Sequence, residues 1–331
     1  MKNARHAILT VVLMGIIASG AAFSQAAGDY RSAAAGNWSE AATWETFDGA
    51  AWVAAADAPD GTELIMVAGD HTVTVDAAVV IAGTVRVEES ASVEVAGGSL
   101  EFADGSTYEH ARDGGTLPDA VWGAGSTFLL TGTAQDAPGN RVQDFHHVTF
   151  NTPDLGRNRD MSWNGNIIGG DVRVISTGSA RWQMTSVGGG DSAAFTIVGD
   201  VIVEDGQFAV QGTGNALTTF IVHHHGNLTV TGGNFSIARG SQGSGSGTTT
   251  WYLHEGDFSM ANAATQNSNP TPGNAKLVFA KGGTQQMTFD SVTYAGGQIH
   301  FEVSDSSALQ ITQDMAANGL WVNRGEIEPL G

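Results

Sequence analysis

The chain has 331 residues, 41% apolar and 15% charged, with 45 glycines and no cysteine. That apolar content is too high for a disordered chain, and the missing thiols exclude disulfides, cysteine nucleophiles and zinc–thiolate centres. The formal net charge of −20 repels nucleic acid and anionic lipid, so no polyanion partner is expected.

Residues 1–26 have the build of a signal peptide. Lys2 and Arg5 form a basic start, Ala7 to Ala18 is apolar, and Ser24-Gln25-Ala26 is a small-x-small cleavage signal. No second apolar run is long enough to span a membrane. The expectation is an exported protein, extracellular or on the outer cell surface, with the periplasm as the alternative.

Residues 27–60 carry Trp38, Trp44 and Trp52 close together. The first rung of a solenoid exposes an open core and a sheet edge that must be covered. A tryptophan-rich N-terminal cap is therefore expected here. The alternative is that Trp38, Trp44 and Trp52 stack on sugar rings.

From residue 61 the chain becomes a series of short alternating strands. His71 to Val75, Thr84 to Val87, Ser92 to Val95 and Ser99 to Phe102 each alternate apolar and polar residues. Period two marks a strand with one buried face, and turn pairs such as Gly97-Gly98 and Asp104-Gly105 separate the strands. Residues 106–168 are less regular, and Asp154 to Asp160, with Arg157 and Arg159, is a polar excursion.

Between 167 and 311 a repeat emerges. Gly170-Asp171, Gly199-Asp200, Gly226-Asn227 and Gly256-Asp257 are each followed by an apolar–any–apolar triplet. A second turn and strand follow at Asp205-Gly206 with Phe208 to Val210, and at Gly232-Gly233 with Phe235 to Ile237. A repeat of about 30 residues made of short strands and glycine turns implies a solenoid. Three strands per rung describes an all-β, right-handed parallel β-helix over residues 61–331. Val172, Val201, Leu228 and Phe258 should form one inward column and Val174, Val203, Val230 and Met260 the next. Glycine at each corner is expected to supply positive φ. The Asp or Asn after it is expected to share backbone bonds with its stacked copies. No capping helix or sorting module follows Trp321-Val322, so the solenoid is expected to continue beyond Gly331.

These features resemble the glycine-rich β-helical surface proteins of Bacteroidetes-type bacteria. The similarity rests on Gly28-Asp29-Tyr30-Arg31, Gly36-Asn37-Trp38 and Thr43-Trp44, on Gly69 to Val75, and on the repeats at 199–210 and 226–237. It implies a glycine-rich entry domain, export and a scaffold architecture.

No serine-hydrolase elbow, phosphate loop or dinucleotide fingerprint occurs. A β-helical polysaccharide lyase needs clustered Asp and a basic side chain on one face, yet lysine occurs only at 2, 276 and 281. Glu94 and Glu101 fall at outward positions on neighbouring strands. The odd group is the histidines. Counting back from Gly226 and Gly256, His224 and His254 share the inward offset of Ile168 and Ile197. They are expected to stack as neutral imidazoles in adjacent rungs, with His225 and Glu255 paired outside. A metal site on His224, His254, His225 and Glu255 is the alternative, and it needs a third ligand and an open position. No cofactor is expected, with calcium bridging the acidic surface as the alternative. The functional expectation is a structural or adhesive scaffold without catalysis, able to meet extracellular glycans or cell-surface components. The alternative is a carbohydrate-active or glycan-binding β-helix.

Overall fold

The computed structural model describes residues 25–186, 192–212, 218–239, 247–266, 274–294, 299–311, 321–323 and 325–329. The segment read as a signal peptide therefore lies almost wholly outside the described residues. Most of the glycine-serine run at 240–247 does too. Among the described residues no helix is long and apolar enough to cross a membrane. Among the described residues helix is confined to one 3-10 turn, Ala41–Thr43.

The fold is all-β and is organised around one sheet of 15 strands. From Tyr30–Ser32 through Leu64–Val67, Thr84–Glu88, Thr107–Ala111 and onward to Glu326–Pro329, each strand of this first sheet pairs in parallel with the next. Two antiparallel strands, Trp44–Phe47 and Trp52–Ala54, extend its N-terminal end. Between visits to this sheet the chain passes through a second sheet and then a third. Thr84–Glu88 leads to Ser92–Val95 in the second and Ser99–Phe102 in the third, before Thr107–Ala111 returns to the first.

The second and third sheets are each interrupted once. Ser92–Val95 ends the first stretch of the second sheet, which resumes in chain order at Arg159–Asp160. Val121–Trp122 ends the first stretch of the third, which resumes at Ile167–Ile168. The break accounts for the irregular texture of residues 106–168. Two circuits there carry no second-sheet strand, only the isolated bridge between Thr116 and Gly139.

The expected columns form. Val172, Val201, Leu228 and Phe258 are register partners, as are Val174, Val203, Val230 and Met260. All eight are buried in one core cluster. Each such side chain contributes roughly 1.5–3 kcal/mol on burial, so the core is a sum of many similar layers.

The corner glycines differ from expectation. Gly199, Gly226 and Gly256 do not take positive φ. They are needed because the circuits touch there. A Cβ on Gly226 would run into the carbonyl oxygen of Gly199, and one on Gly256 into that of Gly226. Positive φ occurs instead at the following corner, at Gly206 (83°) and Gly233 (66°). The Asx residues beside the corner glycines form a ladder. Asp171 Oδ1 accepts from Asp200 N, Asp200 Oδ1 from Asn227 N, Asn227 Oδ1 from Asp257 N, and Asp257 Oδ1 from Gln286 N. His147 Nδ1 begins the series by accepting from Asp171 N.

The tryptophans of the N-terminal segment divide. Trp38 and Trp44 are 2% and 1% exposed and meet edge to face at 5.1 Å. Trp44 Nε1 donates to Trp38 O, and Trp38 Nε1 to Pro59 O. Neither has a ring face free for a sugar, which corrects that alternative for both. The cause is their place in the continuous core, where a buried indole satisfies its N–H on nearby carbonyls. Trp52 is half-buried, with the Arg31 guanidinium 4.7 Å over its ring and Phe47 at 5.3 Å.

Candidate functional site

The histidines sit where Thr219–His224 and Thr249–Leu253 run side by side in the third sheet. Alternation along Thr219–His224 buries Phe220, Val222 and His224 and turns Ile221 and His223 outward. The register pairs His224 with Leu253 and His223 with Tyr252. His254 is therefore not opposite His224, which corrects the expected stack. The reason is corner length. Three residues separate His224 from Leu228, whereas four separate Leu253 from its counterpart Phe258. The extra residue moves His254 off the inward column.

His224 is fully buried and lies edge-on to Trp251 at 5.5 Å. Its Nε2 is 2.9 Å from the Gly199 carbonyl, so Nε2 carries the proton and donates. Its Nδ1 has no partner among the described residues. Burial pushes its pKa down to about 4, so it is a neutral core imidazole at physiological pH.

Outside the core beside it, the half-buried His223, His225 and His254 form a group. His254 stacks against His223 at 5.3 Å and against His225 at 5.0 Å. Tyr252 is stacked 5.7 Å from His223 and 5.9 Å from His254. His223 Nδ1 and His254 Nε2 are 3.0 Å apart, so the two rings share one proton between them. Partial burial, reinforced by the neighbouring imidazoles, lowers the pKa of both. His225 Nδ1 faces Glu255 Oε1 at 3.2 Å, the outward pair expected from the repeat. Among the described residues no three His, Asp or Glu side chains converge to hold a metal ion. His224, His254, His225 and Glu255 do not form a ligand set, because His224 points into the core.

A second feature is a cavity of about 590 Å³ where the second sheet is interrupted. Ser92, Val93, Glu94 and Val95 line it from the strand side, and Arg112, Thr116, Leu117, Pro118, Asp119 and Asn140 from the loops that replace the next strand. Arg112 Nη1 donates to Ala91 O. Asn140 Nδ2 donates to Leu117 O and Asp119 Oδ1. The volume lies within the usual range for ligand sites, about 300–1,000 Å³.

Elsewhere several arginines are paired with carboxylates. Arg173 meets Glu204 at 2.5 Å, Arg86 meets Glu109 at 2.5 Å, Arg159 meets Asp136 at 2.5 Å, and Arg141 reaches Asp160 at 3.4 Å. The polar excursion at 154–160 is thus pinned to earlier loops. Glu94 and Glu101 are exposed, as the alternation requires. Arg181 is buried, and its pKa is lowered to about 10 by burial and by Arg239 nearby.

Two features escaped the sequence. His223 and Tyr252 become neighbours only through register across the sheet. The cavity follows from a strand that does not form, and its one signal was the lack of an alternating apolar run between Ala111 and Val121. Compared with protein-family models, curated proteins and solved structures, the chain matches none.

Proposed function

We propose that this chain is an exported structural or adhesive scaffold, a right-handed parallel β-helix of about three strands per rung whose tryptophan-rich N-terminal segment covers its first rung. The observation that carries this reading is the unbroken 15-stranded sheet with its continuous inward columns. Such a stack makes length and surface from a repeated layer. The pairing of Arg86, Arg141, Arg159 and Arg173 with carboxylates across circuits supports a surface built for cohesion. The net charge of −20 suits a soluble exterior. The reading places the protein among glycine-rich β-helical surface proteins of Bacteroidetes-type bacteria, with extracellular glycans or cell-surface components as partners.

Fractionation of cells expressing the full chain tests export: the reading expects a processed product outside the cytoplasm, and full-length protein kept in the cytoplasm overturns it. Electron microscopy of the purified chain should show short rods. A carbohydrate-active reading draws on the cavity, whose lining includes Glu94, Asp119 and Arg112. Release of unsaturated or reducing sugars from a polysaccharide panel would favour it over the scaffold.

A further inference from the structure

The break in the second sheet leaves one strand with an open edge. Ser92–Val95 pairs with Thr72–Val75 on one side and has no strand on the other. The parity of its main chain is clear. Ser92 N bonds His71 O and Ala96 N bonds Val75 O, so the even-numbered residues face the paired strand. The odd-numbered residues face away, and the Arg112 guanidinium confirms this by reaching the Ala91 carbonyl from that side. Beyond Ala91 the edge is unclaimed. Among the described residues nothing bonds the main-chain N–H and C=O of Val93 and Val95 on that side. An unpaired edge of this kind is a template for another chain.

The edge opens into the cavity. Its apolar lining comes from Val93, Val95, Leu117 and Pro118, and its outer wall carries Glu94 and Asp119, both exposed carboxylates. We propose that this slot binds an extended polypeptide segment from another protein. The segment lies parallel to Ser92–Val95 and takes the place of the missing strand. Main-chain bonds to Val93 and Val95 give the affinity, and alternate side chains give the specificity. Side chains turned inward meet Leu117 and Pro118, so they are apolar. Those turned outward meet Glu94 and Asp119, so they are basic. A second copy of this chain is a poor occupant, because it is itself strongly acidic, with 14 lysines and arginines against 34 acidic residues.

The test is fluorescence anisotropy of the full chain with a labelled peptide of alternating lysine and valine. Saturable binding is expected, weakened about tenfold or more by each of three changes. The first is N-methylation of alternate peptide amides, which removes the edge bonds and keeps the charge. The second is glutamate for lysine in the peptide. The third is Val95→Pro. The Val95 N–H faces the slot, so proline there costs no bond to the neighbouring strand. Slower amide exchange at Val93 and Val95 in the presence of peptide is also expected. Equal binding of the N-methylated peptide, unchanged binding by Val95→Pro, or no binding at millimolar peptide overturns the proposal. So does a dimer of the chain alone in which those two amides are protected, since a second copy would then fill the slot. If Val95→Pro fails to fold, the N-methylated peptide decides.

Discussion

Asp200 accepts the main-chain N–H of Asn227 at 2.7 Å, one circuit further along the stack. The same carboxylate oxygen lies 3.2 Å from Asn227 Nδ2. Asp171, Asn227 and Asp257 do the same for the circuits that follow them, so one side-chain oxygen per corner fastens each layer to the next.

Removing one fastener should cost what a lone partly exposed hydrogen bond is worth. Asp200→Ala is expected to destabilise by about 1 kcal/mol, because the Asn227 N–H loses its acceptor. Asp200→Asn keeps an acceptor oxygen and should stay within about 0.5 kcal/mol of the parent. Equilibrium urea unfolding separates the two. Equal losses for both would show that charge, and not the acceptor, holds the corner.

The corner glycines should be intolerant for a reason unrelated to φ. Gly226→Ala drives a methyl group into the Gly199 carbonyl, and that oxygen belongs to backbone that cannot move without opening the stack. The expected cost is about 1–3 kcal/mol, as for an overpacked core. Gly283→Ala is the control, since nothing lies within 4 Å of the added carbon. Thermal melts of the two variants should differ clearly, and similar melting temperatures would refute the contact argument.

Acid should weaken the fold before its carboxylates titrate. His224 and His110 are both buried, with pKa values pushed down to about 4 by burial. Each resists a proton that the unfolded chain takes up near pH 6.5, so its contribution is intact above that pH and lost as pH falls toward 4. Each group should remove about 1.4 kcal/mol of stability per pH unit across that window. His224→Gln should flatten the slope of stability against pH between 6 and 4.5. An unchanged slope would contradict a neutral buried imidazole.

The tryptophans should separate stability from surface. Trp38→Ala is expected to cost about 3–5 kcal/mol, as for a buried aromatic. Trp52→Ala loses only the Arg31 and Phe47 contacts and should cost about 1 kcal/mol. If a glycan array detects a ligand, loss of binding on Trp52→Ala with normal melting would assign that ring to the surface.

Much of the architecture was legible because its signals are local. Alternation at Thr84 to Val87 or Val201 to Val203 needs only a strand with one wet face. The glycine–Asx pairs at 199–200 and 226–227 recur because every layer meets the same contact with its neighbour. The His225–Glu255 pair followed from counting along the repeat. The same counting failed at His254, where one added corner residue moved the side chain off the column. At Trp38 and Trp44 the sequence left a cap and a sugar platform both open, because nothing local separates a core indole from a surface one, and burial removed the second.

The sequence by itself determined the strand type, the repeat and the inward columns, since these depend on period and on turn chemistry within a few residues. Only the tertiary structure decided which histidines meet, why the corner glycines are glycines, and where the second sheet leaves an edge open. Those are properties of register between strands some 20 to 30 positions apart. One inserted residue changes register without altering any local pattern.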